Sequence, residues 1–187
     1  MAPPQRRGYK PGMVALAVGS DSRWRSAPIL LLLGSGGLLL GALFFQYAMD
    51  LPPCPLCLWQ RYPHVAVVVL AAGALAAGPG ARPWILGAIG LALLATAAIG
   101  VFHAGVEQKW WQGLAVCEGA GGDAPISITD ITKGLDRRPP ARCDQIPWSL
   151  FGLSMAAWNA ILSLALAGIA FRTALVRRAA FARGPAR

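Results

Sequence analysis

The chain has 187 residues and a formal net charge of +9, with 56% of its residues in the hydrophobic set and only 13% charged. A soluble domain carries roughly 25% charged residues, so this composition excludes a disordered chain and argues against an ordinary soluble domain. The Lys and Arg residues lie scattered at the ends and in loops, which argues against a nucleic-acid partner despite the charge.

Residues 1–26 read as a basic tail with Arg6, Arg7, Lys10, Arg23 and Arg25. Four uncharged runs follow: Ala27–Met49, Tyr62–Ala81, Pro83–Val106 and Gln145–Phe171. About 20 mostly apolar residues cross a bilayer, and in lipid the backbone must bond to itself, so each run predicts a helix. The expected fold is therefore an all-α integral membrane protein. It is a bundle of four transmembrane helices at about 27–49, 58–78, 83–106 and 148–171, within a membrane domain of 27–171. The second span has the shortest strictly apolar part, Val65–Ala77, and needs its flanks to cross. The first is longer than a typical signal-peptide core and reads as an anchor. Between the helices lie one short loop, 50–57, and one long loop, 107–147. In the long loop, Ser127-Ile-Thr-Asp130 fits a capping box, and Ile128, Ile131 and Leu135 share a face. That pattern predicts a short interfacial helix; a simple polar loop is the alternative. Residues 172–187 form a second basic tail.

Charge gives the orientation. Eleven of the 17 Lys and Arg residues fall in the two tails and at Arg82, whereas seven of the eight acidic residues fall in the two other loops. The positive-inside rule then puts both termini in the cytoplasm and loops 50–57 and 107–147 outside. In a bacterial inner membrane, outside is the periplasm, where disulfides persist.

All four cysteines, Cys54, Cys57, Cys117 and Cys143, lie in those outer loops. Cys54-Pro-Leu-Cys57 opens a helix, and a helix N-terminus stabilises a thiolate. A bridge across two residues constrains almost no chain, so this pair reads as redox-active rather than structural. Cys117 and Cys143 suit either a loop staple or a second redox pair. A four-cysteine zinc site normally uses two close pairs, and haem attachment needs His after the second Cys where Leu58 stands, so no metal is expected. Two pairs at a membrane surface can exchange a disulfide, and the bilayer offers quinones as electron acceptors. Arg61, one turn beyond Cys57, suits a quinone oxygen or a snorkelling interfacial role. His103, near the outer end of the third span, suits the quinone site or simple packing. Trp110, Trp111 and Trp148 fit an aromatic belt.

Together, Cys54-Pro-Leu-Cys57-Leu-Trp-Gln-Arg61, His103 ahead of Cys117, and the run Cys143-Asp-Gln-Ile-Pro-Trp148-Ser-Leu-Phe-Gly152-Leu-Ser-Met155-Ala-Ala-Trp158-Asn resemble the disulfide bond formation protein B (DsbB) family over about residues 27–171. The resemblance implies a thiol:quinone oxidoreductase that reoxidises a periplasmic DsbA-like thiol oxidase and passes electrons to the membrane quinone pool, ubiquinone or menaquinone. It implies that Cys117 receives the partner's attack, that Cys143 exchanges with Cys54, and that Cys57 meets the quinone beside Arg61, with His103 as a second quinone-site residue. Vitamin K epoxide reductases also pair a membrane-edge CxxC with loop cysteines, but there the loop pair comes first. A four-helix scaffold with two inert disulfides is the non-enzymatic alternative.

Overall fold

The computed structural model describes residues 11–78, 80–117 and 141–182, with side chains from Arg25 onward except Phe181. The predicted interfacial helix at 127–135 lies outside the described residues. Among the described residues there are four long helices: α1 (Pro11–Tyr47), α2 (Pro55–Ala76), α3 (Arg82–Glu107) and α4 (Met155–Ala182). The described residues also include a 3-10 turn, Ala115–Cys117, and a hairpin of two short strands, β1 (Ser149–Leu150) with β2 (Leu153–Ser154).

Three of the helices, α1 over Arg25–Tyr47, α3 over Arg82–Glu107 and α4 over Met155–Ala180, are long and apolar enough to cross a membrane. The helix α2 is not among them, because Gln60, Arg61, Tyr62 and His64 crowd its first half. Its polar side chains turn inward: Gln60 and His64 are buried. Outward-facing Leu40, Val69, Leu91 and Leu164 are exposed, as expected of a surface that meets hydrocarbon rather than water.

Helix bounds differ most from the sequence expectation at three places. The helix α1 begins at Pro11 rather than near residue 27, and α4 runs on to Ala182 rather than ending near 171. Both tails contain Ala, Leu and Arg, which favour helix whether or not lipid surrounds them. The fourth helix also starts later, at Met155 instead of 148. Phe151 (φ 53) and Gly152 (φ 77) both take left-handed backbone, which closes a tight hairpin pairing Ser149 with Ser154. The hydroxyl of Ser154 then accepts the N–H of Ala157 at 3.2 Å and caps α4.

The bundle stacks three layers along its axis. At one end Leu31, Val67, Ala71, Leu86, Ile89, Leu93 and Ala170 form an apolar core. At the other end Cys54, Leu56, Val106, Cys117 and Cys143 form a smaller one. Between them lies a buried polar layer of Ser35, Gln60, His64, Thr96 and Ser163, joined by Asn159. Helices α3 and α4 approach closely at Gly100, where a Cβ would stand 3.0 Å from the Ala156 carbonyl oxygen. Helix α1 packs mainly on α2 and touches α4 much less, so the bundle is open between α1 and α4.

Candidate functional site

The site is built around the start of α2. Cys54 is its N-cap: the Sγ accepts the Cys57 N–H at 3.2 Å, and Pro55 supplies the fixed φ of the first turn. Cys54 is buried and Cys57 partly so, and both are free thiols. The Cys54 thiol donates to Cys57 Sγ at 2.8 Å. This hydrogen bond, reinforced by burial, pushes the Cys54 thiol well above its ordinary range. Cys54 thus keeps its proton, and Cys57 is the sulfur placed to carry charge.

Cys117 and Cys143 form a disulfide with their Cα atoms 5.2 Å apart. Both are buried in the same small core as Cys54, so the structure brings the two pairs together at one end of the bundle. One pair is a disulfide and the other a dithiol, whereas a bridge within 54–57 was also open from sequence.

His103 arrives from α3. Its Nε2 lies 3.5 Å from Cys54 Sγ, and its Nδ1 accepts a hydrogen bond from Gln60 Nε2 at 2.9 Å. Because that amide nitrogen can only donate, the ring proton sits on Nε2, the nitrogen that faces the sulfur; the ring also bonds to the Cys143 backbone. Asn159 Nδ2 donates to Gln60 Oε1 at 2.7 Å and to Thr96 Oγ1 at 3.1 Å. Asn159 Oδ1 in turn meets His64 Nε2 at 2.9 Å, and His64 Nδ1 meets Ser35 Oγ at 3.2 Å. One chain of hydrogen bonds therefore runs from the thiol pair into the middle of the bundle.

A cavity of about 530 Å³ opens beside this chain. Helix α1 lines it from Gly37 to Phe45, and Cys57, Arg61, His103 and Trp158 line it from the other side. Arg61 Nη1 donates to Gln46 Oε1 at 2.6 Å and Nη2 to the Ala42 carbonyl at 3.3 Å, tying α2 to α1. Its buried Nε has no partner. Trp148 also lines the cavity, with its ring centroid 4.8 Å from that of Phe45.

All six candidate residues thus meet at one end of the bundle, with Cys54, Cys57, Arg61 and His103 on the cavity and Cys117 and Cys143 packed behind Cys54. Sequence reasoning gave no role to Gln60, His64, Glu107 or Asn159. Glu107, one turn beyond His103, has a side chain only 3% exposed, with Oε1 3.7 Å from His103 Nε2 and Oε2 without a partner. An acid four residues after a histidine, at the end of an apolar helix, is the sequence signal that could have found it. Outside the cavity, Asp144 is held well below the usual carboxylate range by hydrogen bonds from Arg142 and Lys109. The Lys109 pair fastens the segment after Cys143 to the turn that follows α3.

A sequence model of the family described as "Disulfide bond formation protein DsbB" matches residues 24–173. A Shewanella frigidimarina protein named disulfide bond formation protein B is 34% identical over 144 residues, covering 75% of this chain and 83% of its own. The Verminephrobacter eiseniae protein of that name is 31% identical over 172 residues, covering 89% and 95%. The Aromatoleum aromaticum one is 34% identical over 135 residues, covering 67% and 76%. No solved structure matches the chain.

Proposed function

Since this chain belongs to the DsbB family of disulfide bond formation proteins, we propose that it is a membrane protein-dithiol:quinone oxidoreductase that reoxidises a periplasmic DsbA-like partner. The observation that carries the reading is that two cysteine pairs share one buried cluster at the edge of a cavity. Two disulfide-exchanging pairs can pass electrons only if they approach each other, and one of them must reach an acceptor.

A partner thiolate attacks Cys117 Sγ, forms a mixed disulfide and releases Cys143 as a thiolate. Cys143 attacks Cys54 of an oxidised Cys54–Cys57 bridge, and Cys57 leaves with the electron pair. The partner's second thiol then closes its own disulfide and releases Cys117 as a thiolate, which attacks Cys143 in the Cys143–Cys54 bridge, re-forms the loop pair and displaces Cys54. The inner pair is left as a dithiol, the distribution of bonds seen here.

A bound quinone would accept two electrons and two protons from that dithiol. The cavity fits such a group: its volume is that of a typical small-molecule site, and its walls are mostly apolar. Arg61 brings a guanidinium with an uncommitted Nε to the wall next to Cys57. His103 holds an N–H against Cys54, which favours the thiolate when Cys54 gives up its proton. Neither ubiquinone nor menaquinone is singled out by this lining.

We read α2 as the fourth span, because its polar groups are bonded inside the bundle rather than offered to lipid. Both termini then lie in the cytoplasm and the cysteine end in the periplasm, in a bacterial inner membrane. The test is purified full-length protein with reduced DsbA-like partner and quinone, followed optically. Quinone consumption matched by partner oxidation supports the reading. No consumption with either quinone class, while the partner stays reduced, overturns it.

A further inference from the structure

Three soft donor atoms, Cys54 Sγ, Cys57 Sγ and a His103 ring nitrogen, lie within 4.8 Å of one another. From the dithiol form of this site we infer a second capability: the reduced Cys54–Cys57 pair, His103 and Glu107 form a tetrahedral site for a zinc-class divalent cation. Tetrahedral zinc bonds of about 2.3 Å to sulfur and about 2.0–2.1 Å to nitrogen or oxygen set the spacings between ligand atoms. Sulfur and nitrogen should stand about 3.5 Å apart, nitrogen and oxygen about 3.4 Å, and two sulfurs about 3.8 Å. Cys54 Sγ stands 3.5 Å from His103 Nε2, and Glu107 Oε1 stands 3.7 Å from the same nitrogen. Two adjustments are needed: the sulfurs, 2.8 Å apart, must open by about 1 Å, and the Glu107 carboxylate, which is not within 4.8 Å of all three of the other donors, must swing toward the thiols. Cys57 borders the cavity and has room to turn.

Glu107 supplies the independent observation. It is a buried carboxylate with Oε2 unpartnered, facing the same cavity as the thiols. A buried acid without a counter-charge is costly, and a divalent cation would offset it. Thiolate and imidazole donors select zinc over magnesium or calcium. A ligating imidazole is usually held at its other nitrogen, and the Gln60 amide already lies 2.9 Å from Nδ1. With its oxygen turned to that position, which gives up the bond it now accepts from Asn159 Nδ2, it would accept the Nδ1 proton and free Nε2 for the metal.

Binding replaces two thiol protons with one cation, and both protons go to solvent. No electrons move. A Cys54–Cys57 disulfide offers no thiolate, so the site exists only in the reduced state. If the proposed electron relay is right, an occupied site holds the pair as a dithiolate and stops turnover. Metal binding itself rests only on the geometry.

The test uses untagged full-length protein in detergent, reduced with a phosphine and titrated with Co²⁺ under nitrogen, then with Zn²⁺. One Co²⁺ per chain should bind, with the intense visible bands of tetrahedral cobalt and a thiolate charge-transfer band, and Zn²⁺ should bleach both. His103→Ala and Glu107→Gln should each weaken Co²⁺ binding about tenfold or more. The wild-type Tm should rise with Zn²⁺ in the reduced protein alone, which keeps the test valid if a variant misfolds. Weak octahedral bands, equal binding by the oxidised protein, or no Tm difference between redox states would overturn the site. Absence of quinone turnover would not, since the cobalt spectrum does not depend on it.

Discussion

Arg61→Ala is the most informative single change. The guanidinium makes two bonds to α1, at 2.6 Å to Gln46 Oε1 and 3.3 Å to the Ala42 carbonyl, while its Nε remains unpartnered at the cavity. Loss of a charge-assisted hydrogen bond costs about 1.5–3 kcal/mol. If that bond is made to quinone, the apparent quinone KM should rise about 10- to 100-fold. Capture of the partner at Cys117 should be unchanged, because Cys117 does not itself line the cavity that Arg61 shares. Arg61→Lys should recover part of the loss, since it keeps the charge but not the planar fork. Gln46→Ala separates the two roles of the side chain. It cuts the shorter of the two ties to α1 yet leaves the guanidinium, so it should lower Tm slightly and move KM little. Steady-state quinone reduction at limiting quinone reads all three variants. An unchanged KM in Arg61→Ala, or an equal rise in Gln46→Ala, would refute the reasoning and leave Arg61 as a helix tie.

Asn159→Leu should strand Gln60 Oε1, Thr96 and His64 in the buried layer and lower stability by about 3 kcal/mol, read as a fall in Tm; an unchanged Tm would contradict it. In the reduced protein, Cys57 should alkylate about tenfold or more faster than Cys54 at neutral pH. A thiol whose pKa is raised stays protonated until strongly alkaline solution, so Cys54 should catch up only there; mass spectrometry of the tagged peptides gives the order. Gly100→Leu should drive a side chain into Ala156 and Ala160 and cost about 1–3 kcal/mol, whereas Gly36→Ala, with open space around it, should be near neutral in the same melt. A membrane-impermeant thiol reagent should label reduced Cys117 in intact spheroplasts, and labelling only after permeabilisation would reverse the proposed orientation.

The helices were legible because long uncharged runs leave the backbone no other solution in lipid. Their ends were not. The residues Trp148 to Leu153 are as apolar as a helix start, and only the left-handed pair Phe151–Gly152 turns them into a hairpin. The extension of α1 back to Pro11 follows helix propensity, which hydropathy does not register. The cysteines and Arg61 stood out by spacing and by being rare residue types near the membrane edge. Gln60 stands inside the same motif, yet spacing alone cannot tell that it meets His103, 43 residues on, or Asn159, 99 residues on. An isolated polar residue in an apolar run says that a partner exists, not which one. The short distances from His103 to Cys54 and Glu107 depend on how α3 is rotated against α2, which packing decides.

The central claim is that the buried Cys54–Cys57 pair exchanges electrons with both the loop disulfide and a membrane quinone. The most direct measurement is the redox state of the four cysteines in native membranes, read by mass-tagged alkylation as quinone is depleted and then restored. The account predicts that Cys54 and Cys57 become reduced on depletion and return to a disulfide when quinone is added back. A pair that stays oxidised throughout, as an inert bridge would, contradicts it.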